Sequence, residues 1–281
     1  MNIIQALILG ILQGLSEFLP ISSTAHLTFA GKIMGLINSQ QPEHWTAFIA
    51  VIQLGTLAAV LVYFLKDLRM IVLDFIRENL SSKRIAFKQQ TLYSRLGWFI
   101  IIGTAPIVTI GLVMKKVIES NITKDLMVIA ISLIALGLIL GLAEIISKFK
   151  KEMDTITWKD ALIIGFAQCL ALFPGASRSG TTITAGLFLG IKRDSAARFS
   201  FLLSIPAVLA SGLLEFYQSL KYISGNDMLM MVISTIAASV SGYMAIAFLL
   251  KFLRTRSTYV FVFYRIALGI VILILVIQKI L

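Results

Sequence analysis

Long apolar runs without charge alternate with short basic segments along this chain. Trp45–Leu65 gives 21 such residues, Leu126–Ala143 gives 18 and Met228–Leu250 gives 23, and Gly97–Met114 lies in another clean run. Phe199–Leu220 is interrupted only by Glu215, and Ser257–Gln278 only by Arg265. A helix crossing the roughly 30 Å hydrocarbon layer needs about 20 mostly apolar residues. The pattern therefore predicts six spanning helices.

Two further apolar regions are too broken to span simply. Met1–Gly31 is cut by Pro20-Ile21-Ser22-Ser23-Thr24, and Ala161–Ile191 by Pro174-Gly175-Ala176-Ser177-Arg178-Ser179. The arm Ala161–Phe173 has 13 residues, about 20 Å of helix at 1.5 Å per residue. Each region reads as a re-entrant helical hairpin in preference to one kinked span. Such a polar turn is tolerated at membrane depth only under a cover of protein or a wet cavity. The regions also resemble each other at an offset of 154–155 residues: Gly10, Gln13, Pro20 and Ser23 match Gly165, Gln168, Pro174 and Ser177. The order is hairpin, three spans, hairpin, three spans. Three is odd, so the halves are expected to insert in opposite senses. The fold class expected is an all-α polytopic membrane protein with six transmembrane helices and two re-entrant hairpins in an inverted-topology repeat. The single integral membrane domain covers 1–281, with repeat 1 about 1–147 and repeat 2 about 158–281.

Composition agrees. The chain is 58% apolar and 14% charged, against roughly 45–50% and 25% in soluble domains. That excludes a soluble enzyme, a disordered chain and a nucleic-acid module, although the net charge is +11. The basic residues fall in loops. Seventeen Lys and Arg lie on one side, in Lys66–Arg95, Lys148–Lys159, Lys192–Arg198 and Lys251–Arg256. Six lie on the other: Lys32, Lys115, Lys116, Lys124, Lys221 and Lys279. The richer side is expected to be cytoplasmic, which turns both termini and the mouth of the first hairpin outward. Cys169 is alone, so no intrachain disulfide forms. The first basic residue is Lys32, so the basic start of a signal peptide is not expected.

Ionisable groups inside spans cost at least a few kcal/mol and mark sites by default. Glu17, His26, Arg178 and Arg265 qualify; Glu144 and Glu215, near span ends, are expected in a headgroup or solvated position. Gln13 and Glu17 share a helix face. Ser22, Ser23 and Thr24 follow, any of them an N-cap for the next helix. His26, in that helix's first turn, is disfavoured as a cation by the helix dipole and suits a neutral base beside Glu17. In the second turn Arg178 offers a planar fork for phosphate oxygens, among the hydroxyls of Ser177, Ser179 and Thr182. A structural pair between Arg178 and Glu17 is the alternative. Arg265 is balanced between a second phosphate ligand and a partner for a helix C-terminus. The ligand these residues suit is an anion at membrane depth, most simply a lipid phosphate or diphosphate.

The motifs Gln13-x-x-x-Glu17-Phe18-Leu19-Pro20-Ile21-Ser22-Ser23-Thr24-Ala25-His26 and Pro174-Gly175-x-Ser177-Arg178-Ser179-x-x-Thr182, with the pair Tyr264-Arg265, resemble the signatures of bacterial undecaprenyl-diphosphatases of the bacitracin-resistance type. The resemblance covers essentially the whole chain. It implies removal of the terminal phosphate of undecaprenyl diphosphate, recycling the carrier lipid for peptidoglycan synthesis and lowering the target of bacitracin. It makes Glu17, Ser23, His26, Ser177, Arg178 and Thr182 the expected active site. Taken with the reading of the residues themselves, Glu17, Ser23, His26 and Arg178 are expected to be catalytic, Ser22, Thr24, Ser177, Ser179, Thr182 and Arg265 to bind phosphate, and Gln13 to support them. The resemblance also implies a divalent cation, Mg²⁺ or Ca²⁺, held at Glu17. Many relatives carry Glu at the position of Gln13, which suits a hydrogen-bonding group there. Ser23 is expected to attack or to position water, and His26 to take the proton. The partners expected are the polyprenyl diphosphate, membrane lipids and a second copy of the chain, with no nucleic acid. The location expected is the bacterial inner membrane, with the site opening to the periplasmic face. The rival reading is a transporter or flippase of a lipid phosphate, which needs an anion clamp but neither nucleophile nor base.

Overall fold

A computed structural model of the chain describes residues 1–37, 42–81, 84–114, 125–219 and 225–280. Lys83, Lys115, Lys116, Lys124 and Lys221, counted in the charge asymmetry, lie outside the described residues, as does the Glu215 side chain. The described residues form eleven α-helices and short 3₁₀ turns, with no strand. In chain order the helices are α1 Ile3–Phe18, α2 Ser23–Ile33, α3 Pro42–Tyr63, α4 Leu65–Asn79, α5 Leu92–Val113 and α6 Leu126–Ile146. Then follow α7 Trp158–Cys169, α8 Arg178–Phe188, α9 Arg193–Ser219, α10 Gly225–Leu253 and α11 Tyr259–Ile277.

The six helices long and apolar enough to cross a membrane are α3, α5, α6, α9, α10 and α11. They are the six read from the charge-free runs. The four remaining apolar arms are short: α1 has 16 residues, α2 and α8 have 11 each, and α7 has 12. At 1.5 Å per residue each falls short of the roughly 30 Å layer. Segment Lys66–Arg95, counted as a basic loop, instead contains α4. Lys66, Arg69 and Arg77 share one side of it with the exposed Leu73, while Val72 and Ile76 are exposed apolar residues on another side. That combination is typical of a helix lying in the membrane interface. α4 is anchored to α5 by polar contacts: Asn79 donates to Ser94 at 3.1 Å and accepts from Trp98 Nε1 at 3.0 Å.

Packing follows a crossed scheme. α1 lies along α10 and α7 along α5, while α3 meets α9 and α6 meets α11. Small residues allow the two crossed contacts. A Cβ added at Gly10 would meet the Ser234 carbonyl oxygen at 2.3 Å, and one added at Gly165 would meet the Gly103 carbonyl oxygen at 2.3 Å. Close backbone approach through small residues is how helices gain packing energy where lipid is as apolar as leucine.

The two short pairs match in detail. α2 and α8 have equal lengths, each ends in a positive-φ glycine (Gly35 at 65°, Gly190 at 76°), and each closes with the same bond pattern. Leu36 N donates to Gly31 O, and Ile191 N to Gly186 O. Only glycine takes that left-handed position without strain.

One expectation is reversed. Glu144 is not solvated: it is buried, accepts from Arg193 Nε at 2.7 Å and from Thr258 Oγ1 at 2.8 Å, and so joins α6 to the starts of α9 and α11. A carboxylate at a span end is stable inside when a guanidinium neutralises it. Arg193 also stacks on Phe149, 3.8 Å from the ring centroid.

Gly165→Ala is expected to lower the thermal midpoint in detergent, because an added methyl against backbone costs about 1–3 kcal/mol. Gly111→Ala, which meets nothing within 4 Å, should melt at or slightly above the parent. Equal midpoints for the two variants would contradict the close α5–α7 crossing.

Candidate active site

Each short pair turns on a serine in an unusual backbone conformation. Ser22 has φ 74° and ψ 103°, and Ser177 has φ 68° and ψ 110°. A non-glycine residue held there carries strain of about 1–3 kcal/mol, and such positions cluster at functional sites. Both serines are N-caps: Ser22 Oγ accepts from Ala25 N at 3.3 Å, and Ser177 Oγ from Gly180 N at 3.2 Å. Each cap places the next residue at the first helical position. That residue is Ser23 in α2 and Arg178 in α8.

They meet at Glu17. Its Oε2 accepts from Ser23 Oγ at 2.8 Å and from Gln13 Nε2 at 3.3 Å, and its Oε1 accepts from Arg178 Nη2 at 3.2 Å. Gln13 and Glu17 sit one turn apart on α1, as their spacing required. The Glu17 side chain is 8% exposed and that of Arg178 is 10% exposed. The pair therefore lies in a weakly screened environment. Arg178 keeps donor capacity in hand. Its Nε is buried without a partner, and its Nη1 reaches only the Ser200 carbonyl, at 3.5 Å.

Two helix N-termini converge on this cluster. The first two amides of α2 (Ser23, Thr24) and of α8 (Arg178, Ser179) have no carbonyl within their helices to bond. Such amides, with the positive ends of two helix dipoles, favour an anion. A hydroxyl bonded to a carboxylate, an arginine and free amides together suit phosphoryl chemistry.

These observations sit beside a sequence match. The chain fits the family described as Bacitracin resistance protein BacA over residues 6–271. The chain belongs to the BacA family. It is 60% identical over 269 residues to an undecaprenyl-diphosphatase of Syntrophobacter fumaroxidans, covering 96% of this chain and 95% of that protein. It is 48% identical over 282 residues to an undecaprenyl-diphosphatase of Chlorobium phaeobacteroides, covering 97% and 96% of the two chains. Another in Myxococcus xanthus is 48% identical over 275 residues, covering 98% and 89%.

Within this BacA-family site the residues read from the sequence divide. Glu17, Ser23, Arg178 and Gln13 are brought together. His26 is buried beside them but bonded elsewhere. Its Nδ1 lies 2.7 Å from the Ser22 carbonyl and its Nε2 lies 2.6 Å from the Tyr264 hydroxyl. A carbonyl only accepts, so in the neutral ring Nδ1 carries the proton and Nε2 accepts from tyrosine. The hydroxyl expected to lose its proton to His26 is thus bonded to Glu17.

Most of the expected phosphate ligands are engaged within the protein. Ser22 and Ser177 cap helices. Ser179 donates to the Leu19 carbonyl at 3.1 Å, tying one turn to the other. Thr182 is fully buried, 2.6 Å from Ser200 Oγ and 2.8 Å from the Arg178 carbonyl oxygen. Thr24 is exposed at the second position of α2. Arg265 is 0% exposed. Its Nη2 donates to the carbonyls of Ala176 at 2.9 Å and Gly175 at 3.3 Å, and its Nη1 reaches that of Pro20 at 3.5 Å. These carbonyls belong to the two turns, past the caps Leu19 and Phe173, so Arg265 staples one turn to the other. A Cβ at Gly180 would lie 2.6 Å from its Nη1, so the glycine makes room for the staple.

Tyr264 and Ser200 were not singled out as site residues in the sequence reading. Tyr264 was signalled only by its place beside Arg265. Ser200, one hydroxyl between Phe199 and Phe201, gave no local signal.

Glu17 is the only carboxylate in the cluster, and both its oxygens are already occupied by donors. Among the described residues no three His, Cys, Asp or Glu side chains group as a metal site. Mg²⁺ is often held by one or two carboxylates plus substrate phosphates, but a cation at Glu17 would face the Arg178 guanidinium. These residues do not make a resident metal site, and no step below runs through a metal.

Exchanging the two arginines should separate their roles. Arg178→Lys keeps a charge but loses the fork, so it is expected to fold and to lose about 10²–10³-fold in rate, as for one aimed oxyanion donor. Arg265→Met leaves buried carbonyls unsatisfied at about 1–3 kcal/mol each and should lower the thermal midpoint. A stable, inactive Arg265→Met would contradict the staple.

Proposed function

We propose that this chain hydrolyses undecaprenyl diphosphate to undecaprenyl phosphate and inorganic phosphate. In doing so it recycles the carrier lipid for peptidoglycan synthesis and confers bacitracin resistance. The observation that carries the reading is Ser23 Oγ donating to Glu17 at 2.8 Å, with the same carboxylate 3.2 Å from Arg178. The undecaprenyl-diphosphatase names of the relatives support the substrate.

In this mechanism the terminal phosphate enters between the two helix N-termini. Arg178 turns its unused Nε–H and Nη donors to the phosphate oxygens, and the free amides complete the cradle. Glu17 takes the Ser23 proton as Oγ attacks the terminal phosphorus. The Oγ–P bond forms, and the P–O bond to undecaprenyl phosphate breaks. Glu17 passes that proton to the departing undecaprenyl phosphate; water then attacks the phosphoserine, giving a proton to the freed Glu17 carboxylate, which hands it to Ser23 Oγ as the Oγ–P bond breaks and inorganic phosphate leaves. The developing charge lies on the equatorial oxygens, where positioning and electrostatics supply most of the rate. His26 is a positioning residue in this scheme. It holds the Ser22 carbonyl, and with it the strained cap that aims Ser23.

The short pairs α1–α2 and α7–α8 are read as re-entrant hairpins of an inverted repeat, about 1–147 and 158–281. The crossed packing and matched N-caps support this. The Lys and Arg excess supports a cytoplasmic face at the α4 side of an inner membrane, with the site open to the periplasm. A flippase reading is favoured by the same repeat, but transport alone gives no use to a hydroxyl bonded to a carboxylate.

Right-side-out vesicles containing the protein are expected to release inorganic phosphate from externally added short-chain prenyl diphosphate. Release only from inside-out vesicles would reverse the orientation. Lipid translocation without phosphate release by either preparation would replace the hydrolase with the flippase.

A further inference from the structure

Away from the catalytic turns, a cleft of about 380 Å³ opens where the starts of α5 and α7 meet. Both helices begin on the basic face, so the cleft lies at the level of lipid headgroups. Two cations line it, Arg95 and Lys159, and no carboxylate does. Arg95 Nε is buried with no hydrogen-bond partner. Lys159 Nζ stands 5.7 Å from the Trp158 ring centroid. The nearest acid along α7, Asp160, is buried and already engaged. Its carboxylate accepts from Lys151 Nζ at 2.8 Å, Thr157 N at 2.9 Å and Thr157 Oγ1 at 2.8 Å.

The walls are apolar and aromatic. Phe99 and Ile156 are buried at the base, and Phe87 and Trp158 are exposed at the rim. Amphipathic rings at that level are usual for residues in the headgroup layer. Below the rim, Ile163, Phe166, Leu170 and Phe173 are exposed and follow Lys159 at spacings of four, three, four and three. They continue one face of α7 and its following turn into the bilayer. A headgroup in the cleft would thus have its hydrocarbon chain laid along that strip.

We propose that this cleft binds the phosphate of an anionic membrane lipid, with Arg95 and Lys159 as its ligands. The site is separate from the Glu17–Arg178 cluster. Basic pockets between helices on the cytoplasmic side are of the kind that hold phosphate headgroups. Free phosphate shares the chemistry but makes no use of the apolar strip.

The test is native mass spectrometry of the full chain from micelles holding equal phosphatidylglycerol and phosphatidylcholine. The parent is expected to retain phosphatidylglycerol in preference. Arg95→Gln with Lys159→Gln should lose that preference, by about fivefold per cation removed, with prenyl diphosphate hydrolysis in detergent unchanged. Lys159→Gln alone, at an exposed position, should fold normally and show its single share. Equal retention by parent and double variant would overturn the site. Displacement of the lipid by millimolar inorganic phosphate, with a phosphate adduct in its place, would overturn the lipid and leave a free-anion site.

Discussion

The Glu17–Arg178 contact is the constraint on which the rest depends. Two charges 3.2 Å apart, each about one-tenth exposed, sit in a protein whose outer surface is apolar. Removing either partner would leave a buried charge uncompensated, at a cost of about 3–5 kcal/mol. The chain supplies what holds them: Gln13 and Ser23 donate to the carboxylate, and both turns are fixed by carbonyl contacts from Arg265 and Ser179. The two arginines therefore differ in kind. Both leave Nε without a partner, but the terminal nitrogens of Arg265 lie on carbonyls of the two turns, whereas those of Arg178 meet the Glu17 carboxylate and, at 3.5 Å, the Ser200 carbonyl.

The local matches between the two halves explain how one site comes from two turns. Each strained serine cap presents its following residue at a helix start. One half places a hydroxyl there and the other a guanidinium. The same backbone device thus brings a hydroxyl and a guanidinium to one carboxylate, at a point where the positive ends of two helix dipoles favour an anion. The strained turns at Ser22 and Ser177 are tied by the cap bonds to Ala25 N and Gly180 N, by His26 on the Ser22 carbonyl, and by Arg265 and Ser179 between the turns.

Much of this was legible in the sequence because the membrane restricts the alternatives. Charge-free runs gave all six long helices, and intramembrane charges marked Glu17, His26, Arg178 and Arg265. Spacing predicted that Gln13 and Glu17 share a face. What could not be read is the direction of each side chain across the interior. Whether Ser23 bonds Glu17 or His26 depends on how α2 rotates against α1, and no local pattern records that rotation. Thr182 and Ser179 carry the same hydroxyls whether they face substrate or Ser200 and Leu19. Glu144 near a span end looked solvated because its partners, Arg193 and Thr258, are 49 and 114 residues away. The α4 helix was hidden by its charge count, although its apolar positions recur with helical period.

The central claim is that Glu17 acts directly on Ser23. A double-mutant cycle of Glu17→Gln and Ser23→Ala, read as kcat for phosphate release, tests it most directly. Each single variant should lose about 10²–10⁴-fold, the range for removing a general base. The double variant should be no worse than the poorer single, because groups acting as one unit are not additive. Losses that multiply in the double variant would contradict the account and show that the two residues act independently.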